Sequence, residues 1–156
     1  MGYDMYFRGK RFTDGDEVCF RLNIFGMARF ADYMAERGMI FEAGQHPPFP
    51  EGGWDAHYRL RWPEDYKDEP TTLSDEQIKA LAAQVDEVLA WHGPEVPGIP
   101  AHKFGSNDGW IVTPAECEAA WRLGKDQPAP PDHEEYWAKW LDYLHRAASN
   151  GGFEVH

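Results

Sequence analysis

KFGSNDGWIVTPAECEAAW, residues 103–121, packs a turn, a strand and a helix start into nineteen residues. Ser106-Asn107-Asp108-Gly109 supplies the residue types that tolerate chain reversal, so it reads as a turn joining a short strand around Lys103 to a strand at Trp110-Ile111-Val112. Thr113-Pro114-Ala115-Glu116 is a helix start. The Thr hydroxyl can accept the amide proton three residues on, proline suits the first helical position, and Glu116 reaches back to the cap. Cys117, Ala120 and Trp121 then share the buried face. The loop also gathers hydroxyl, amide and carboxylate groups at Ser106, Asn107 and Asp108, flanked by His102 and Trp110, and these five residues are candidate members of a binding surface.

Working outward, Tyr3–Phe7 and Val18–Leu22 are two apolar runs separated by a Gly- and Asp-containing stretch, the signature of a β-hairpin. Alternation puts Val18 and Phe20 on one face and Cys19 and Arg21 on the other. Asn23 is placed to cap a helix from about Ile24 to Arg37, with Gly38 to end it. Ser74-Asp75-Glu76-Gln77 is a capping box opening a helix to about Trp91, whose stripe is Ile78, Leu81, Ala82, Val85, Val88 and Leu89. Asp132, with Glu135 three residues later, looks like another such box. The helix it opens buries Trp137, Trp140, Leu141, Leu144, Ala147 and Ala148. Phe153–His156 adds a last short strand.

Between the first two helices, residues 44–70 hold five prolines and five aromatics and cannot be helical throughout. Within them His57-Tyr58-Arg59-Leu60-Arg61-Trp62 alternates, which predicts a strand with Tyr58, Leu60 and Trp62 on one side and the two arginines on the other. Trp54, Tyr58, Trp62 and Tyr66 recur every four residues, a spacing that fits both helix and strand. Trp54 and Trp62 join the candidate binding surface. The reading is therefore a single α+β domain over residues 1–156, about four helices packed on a small, mainly antiparallel sheet.

A chain of 156 residues with seven Trp, seven Tyr and nine Phe can build a core without staples. Its two cysteines, Cys19 and Cys117, form no CxxC pair, which points to a reducing, cytoplasmic setting rather than a disulfide framework. The N-terminus lacks an apolar signal region, and no later run approaches the roughly 18 apolar residues of a membrane span. The formal net charge is -12. Residues 1–62 contribute -1 and residues 63–156 contribute -11, a field that opposes nucleic-acid and anionic-membrane binding and suits a basic protein partner.

Seven histidines occur without HExxH, HxxxH or paired Cys-His spacing, so no metal is expected. Ser106 lacks a GxSxG elbow, and no GxGxxG or Walker loop implies a nucleotide cofactor; none is expected. Cys117 falls near a helix start that could activate it, but its place on the apolar stripe makes it an inert buried thiol.

GYDMYFR at residues 2–8, FGSNDGWIVTPAEC at 104–117 and GGFEVH at 151–156 together resemble small uncharacterised proteins of actinobacteria and their phages. That resemblance spans most of the chain and implies a bacterial or phage setting without assigning a chemistry. The leading functional expectation is a non-catalytic binding or interaction protein using the 106–110 loop and the 46–66 segment. Its sharper form is an acidic inhibitor or DNA mimic of a basic partner. The rival is a small hydrolase-type enzyme with a site near His102 and Asp108, drawing on Cys117.

Overall fold

The computed structural model describes residues 2–156, apart from the Phe12 side chain. The chain forms two compact units, one from residues up to Gly44 together with His92–His156, the other Gln45–Trp91.

The larger unit is built on a four-stranded antiparallel sheet of β1 (Gly2–Phe7), β2 (Cys19–Asn23), β5 (Trp110–Val112) and β6 (Phe153–Val155), in the order β2-β1-β6-β5. The hairpin expected from the first two apolar runs is present, with Met5 opposite Phe20. The C-terminal strand is an inner strand of the sheet: Met5 pairs with Val155 on one side, and Trp110 pairs with Val155 on the other. One face, carrying Met5, Phe7, Phe20, Phe153 and Val155, is buried. Helix α6 (Glu134–Ala148) covers it, bringing Trp140 within 5.1 Å of the Phe20 ring and 6.0 Å of Phe153. Helix α1 (Ile24–Glu36) begins where β2 ends because the Asn23 side chain accepts the Gly26 amide proton at 2.6 Å, and it buries Met27, Phe30 and Met34. A short parallel pair, β3 (Ile40–Phe41) with β4 (Ile99–Pro100), and helix α5 (Pro114–Gly124) complete this unit.

Side chains occupy backbone acceptors next to the two edge strands. Tyr136 donates to the Arg21 carbonyl at 2.5 Å and Tyr143 to the Val18 carbonyl at 3.2 Å, while the Arg146 guanidinium reaches the Glu17 carbonyl. At the opposite edge the Ile111 carbonyl accepts from Lys103 at 2.7 Å. Edges tied this way offer fewer acceptors to a foreign strand.

The smaller unit holds α2 (Gly53–Arg61), the short α3 (Pro63–Tyr66) and α4 (Asp75–Leu89), with α2 packed on α4. The Ser74/Gln77 capping box starts α4 as expected.

Three expectations are corrected. Of the strand expected over residues 57–62, residues 57–61 are the second half of α2 and Trp62 follows its end, so the described residues hold six α-helices, five of them substantial, rather than about four. His-Tyr-Arg-Leu-Arg-Trp contains no β-branched residue, and its aromatic spacing is satisfied helically: Trp54 stacks on Tyr58 with centroids 5.8 Å apart, and Asp55 pairs with Arg59 at 2.8 Å. Lys103 lies in a 3-10 turn, Ala101–Phe104, because its ammonium turns inward, so residues 106–109 are a loop and not a hairpin turn. Asp132 does not cap α6. It has a left-handed φ of 67°, and the cap position falls to His133 with no side-chain cap bond.

Among the described residues no helix is long and apolar enough to cross a membrane. Gly152, which turns the chain from α6 into β6, has φ +80°, and a Cβ there would lie 2.1 Å from the Val112 carbonyl oxygen. Gly152→Ala is therefore expected to destabilise the protein by roughly 3 kcal/mol. A urea midpoint equal to that of the parent protein would show that this turn relaxes freely.

Candidate functional site

Glu116 sits at the third position of α5 and folds back to accept the Thr113 amide proton at 2.9 Å, while the Thr113 hydroxyl accepts the Glu116 amide at 3.2 Å. This is the capping box expected from the sequence. Glu116 is nevertheless almost wholly buried, and capping is only part of its work. Lys103, with no exposed surface, donates to Glu116 Oε1 at 2.7 Å, to Oε2 at 3.0 Å and to the Ile111 carbonyl at 2.7 Å. The Lys103 nitrogen thus faces both carboxylate oxygens and a backbone carbonyl, acceptors that suit an ammonium. Burial pulls the Lys103 pKa below its ordinary value, and the Glu116 carboxylate pulls it back.

On its other side Glu116 Oε2 lies 2.7 Å from His92 Nδ1, and His92 Nε2 lies 2.8 Å from the Val96 carbonyl. His92 therefore closes the 92–96 bend on itself. Phe41 packs edge-on to the imidazole at 5.0 Å. The base of the bend is anchored where Ile99 donates to the Met39 carbonyl at 2.9 Å. Gly98 is required there: its φ is +119°, and a Cβ would meet that carbonyl oxygen at 2.5 Å.

Between the bend and α5 lies a cavity of about 310 Å³. His92, Val96 and Pro97 line one side, Ala115 and Ala119 the other, and Glu116 the floor. Ala115 and Ala119, four residues apart, present one small apolar strip of α5. The side chain of His92 is 34% exposed, so the network runs from solvent through His92 and Glu116 to a Lys103 that solvent does not reach.

The residues singled out from the sequence fall in two groups. His102, Ser106, Asn107 and Trp110 come together beside the sheet. The buried Trp110 donates its indole proton to Ser106 Oγ at 2.8 Å, His102 meets the Trp110 ring edge-on at 4.8 Å, and Asn107 donates to the Gly2 carbonyl at 3.4 Å. The Ser106–Trp110 pair thus serves the loop's own structure. Asp108 is exposed. Trp54 and Trp62 belong to the smaller unit: Trp54 packs against Phe49 at 4.6 Å as well as Tyr58, and the Arg61 guanidinium lies 5.2 Å from the Trp62 ring centroid. Cys117 is wholly buried. Burial first, and the neighbouring Glu116 second, push its thiol far above the ordinary range, so it is not an activated thiolate.

Sequence reasoning missed the network. Lys103 and Glu116 are thirteen residues apart and His92 is twenty-four from Glu116. The available signal was Lys103 itself, the single basic residue among the prolines, aromatics and β-branched residues of 99–112 apart from His102. Among the described residues no group of three or more His, Cys, Asp or Glu side chains could hold a metal ion. No protein-family model, curated protein or solved structure matches the chain.

Glu116→Gln keeps the shape but strands the Lys103 ammonium, so it is expected to destabilise by roughly 3–5 kcal/mol, whereas the paired change Lys103→Met with Glu116→Leu recovers much of that loss. Denaturant titration of the parent protein and these two variants checks this, and a Glu116→Gln midpoint matching the parent's would contradict the role given to the carboxylate. Cys117 yields a pH prediction. Its folded-state pKa is raised, so its contribution is fully present below the unfolded thiol's range and is lost as pH rises past about 8.5, where only the unfolded chain releases the proton. Cys117→Ala should flatten the alkaline fall in stability above that pH, and a parallel fall in both proteins would contradict it.

Proposed function

We propose that the protein is a binding protein and that its ligand site is the cleft between the 92–98 bend and α5. The observation that carries this reading is an apolar-walled cavity of about 310 Å³ whose polar floor is a carboxylate held by a buried ammonium. Cavities of this size with few, fixed polar groups are the usual form of small-molecule sites. The fixity is physical: Glu116 accepts four hydrogen bonds, from Thr113, twice from Lys103 and from His92, so it does not move when the cleft fills. Val96, 40% exposed at the rim, offers apolar surface that a ligand would cover.

1-Hexanol, a small neutral probe with an apolar body, tests the cleft by amide chemical-shift mapping. Shifts are expected to concentrate at Val96, Gly98, Ala115 and Ala119. Ala119→Phe, which fills the cleft from α5 and replaces no member of the network, is expected to abolish them. Shifts that are absent, scattered or unchanged in Ala119→Phe would remove the proposal.

A further inference from the structure

Resting on the cleft reading above, we infer that the ligand is a small carboxylic acid with an apolar body, bound as its carboxylate against His92 Nε2. The argument is a count of protons and charges. His92 Nδ1 faces Glu116 Oε2 at 2.7 Å and Nε2 faces the Val96 carbonyl oxygen at 2.8 Å. With Glu116 ionised against Lys103, both facing oxygens are acceptors, and the geometry assigns a proton to each ring nitrogen, the imidazolium form. Lys103, which faces both carboxylate oxygens and the Ile111 carbonyl, is the ammonium. Glu116 supplies the one negative charge between two positive ones. The cluster therefore carries one excess positive charge, and that charge faces the cleft, because His92 is the partly exposed member and Lys103 is sealed.

A neutral carbonyl, that of Val96, now occupies the outer proton of His92. A carboxylate oxygen in its place would form a charge-assisted hydrogen bond and cancel the excess charge, while the chain behind it lies along Ala115 and Ala119. Glu118, the acid on the neighbouring turn of α5, is already engaged with Arg122 at 2.6 Å and does not supply that anion.

The test compares hexanoate with hexanamide, probes of the same length that differ in charge, by calorimetry at neutral pH. Hexanoate is expected to bind at least about tenfold more tightly than the amide, and His92→Gln, which keeps a donor but no charge, is expected to remove that advantage. In the parent protein, hexanoate should also shift the His92 Nε2 resonance and the Val96 carbonyl carbon together, a readout that stands even if the variant folds poorly. Equal affinity for the two probes, or a preference that survives His92→Gln, overturns the carboxylate assignment and leaves the cleft standing. If neither probe binds and 1-hexanol gives no cleft shifts, the cleft reading itself has failed, and the inference with it.

Discussion

The carboxylate of Glu116 is the point on which the larger unit turns. One side chain caps α5, neutralises a buried ammonium from the 3-10 turn, and orients the imidazole that closes the 92–96 bend. Through Lys103 it also reaches the Ile111 carbonyl at the edge of the sheet. A helix, a turn, a strand and a bend are thus referred to two oxygen atoms. Burying such a pair is favourable only when its lone pairs and protons find partners, and here the carboxylate accepts from Thr113, Lys103 and His92. A network satisfied to this degree rigidifies its surroundings more than it adds net stability.

The sheet shows a similar dependence of local parts on distant ones. Its strand order places the C-terminal strand between the N-terminal strand and β5, so residues 2–7, 110–112 and 153–155 lie side by side. The three sequence stretches at 2–8, 104–117 and 151–156 are therefore neighbours in space, and their particular residues have structural work to do. Gly152 permits the turn, Gly109 donates to the Val155 carbonyl at 2.8 Å beside the His156 ring, and Tyr6 stacks on His156 with centroids 4.9 Å apart. None of these contacts requires a ligand to explain it.

What could be read from the sequence follows from the range of the interaction responsible. Asn23, Ser74 and Thr113 were legible as caps because a cap and its amide are only three residues apart. Trp137, Trp140 and Leu144 were legible as core because helical periodicity is local, and all three are buried as expected. Asp132 satisfied the same local rule and still failed, since its left-handed backbone moved the cap by one residue. Residues 57–62 failed for another reason: alternation over six residues is compatible with a helix once aromatic spacing of four is laid over it, and packing of α2 on α4 decided the matter. The candidate site was the least legible part. A capping glutamate and a glutamate that holds a buried lysine have the same sequence signature, and only the distant partner distinguishes them.

The three members of the network are not equivalent, and the difference bears on how a fold can also host a site. Removing Lys103 strands a buried carboxylate, and removing Glu116 strands a buried ammonium. If His92 is removed, Glu116 still holds Lys103 and the Thr113 amide, and Lys103 keeps both carboxylate oxygens and the Ile111 carbonyl. Lys103 and Glu116 are bound to the fold by the cost of an uncompensated buried charge, whereas His92, which meets Glu116, Phe41 and the Val96 carbonyl, is partly exposed and carries no such cost. A partly exposed imidazole backed by a buried ion pair can change its own contacts without leaving a buried charge unpaired. That division of labour puts the adaptable group at the cleft and the inflexible ones beneath it.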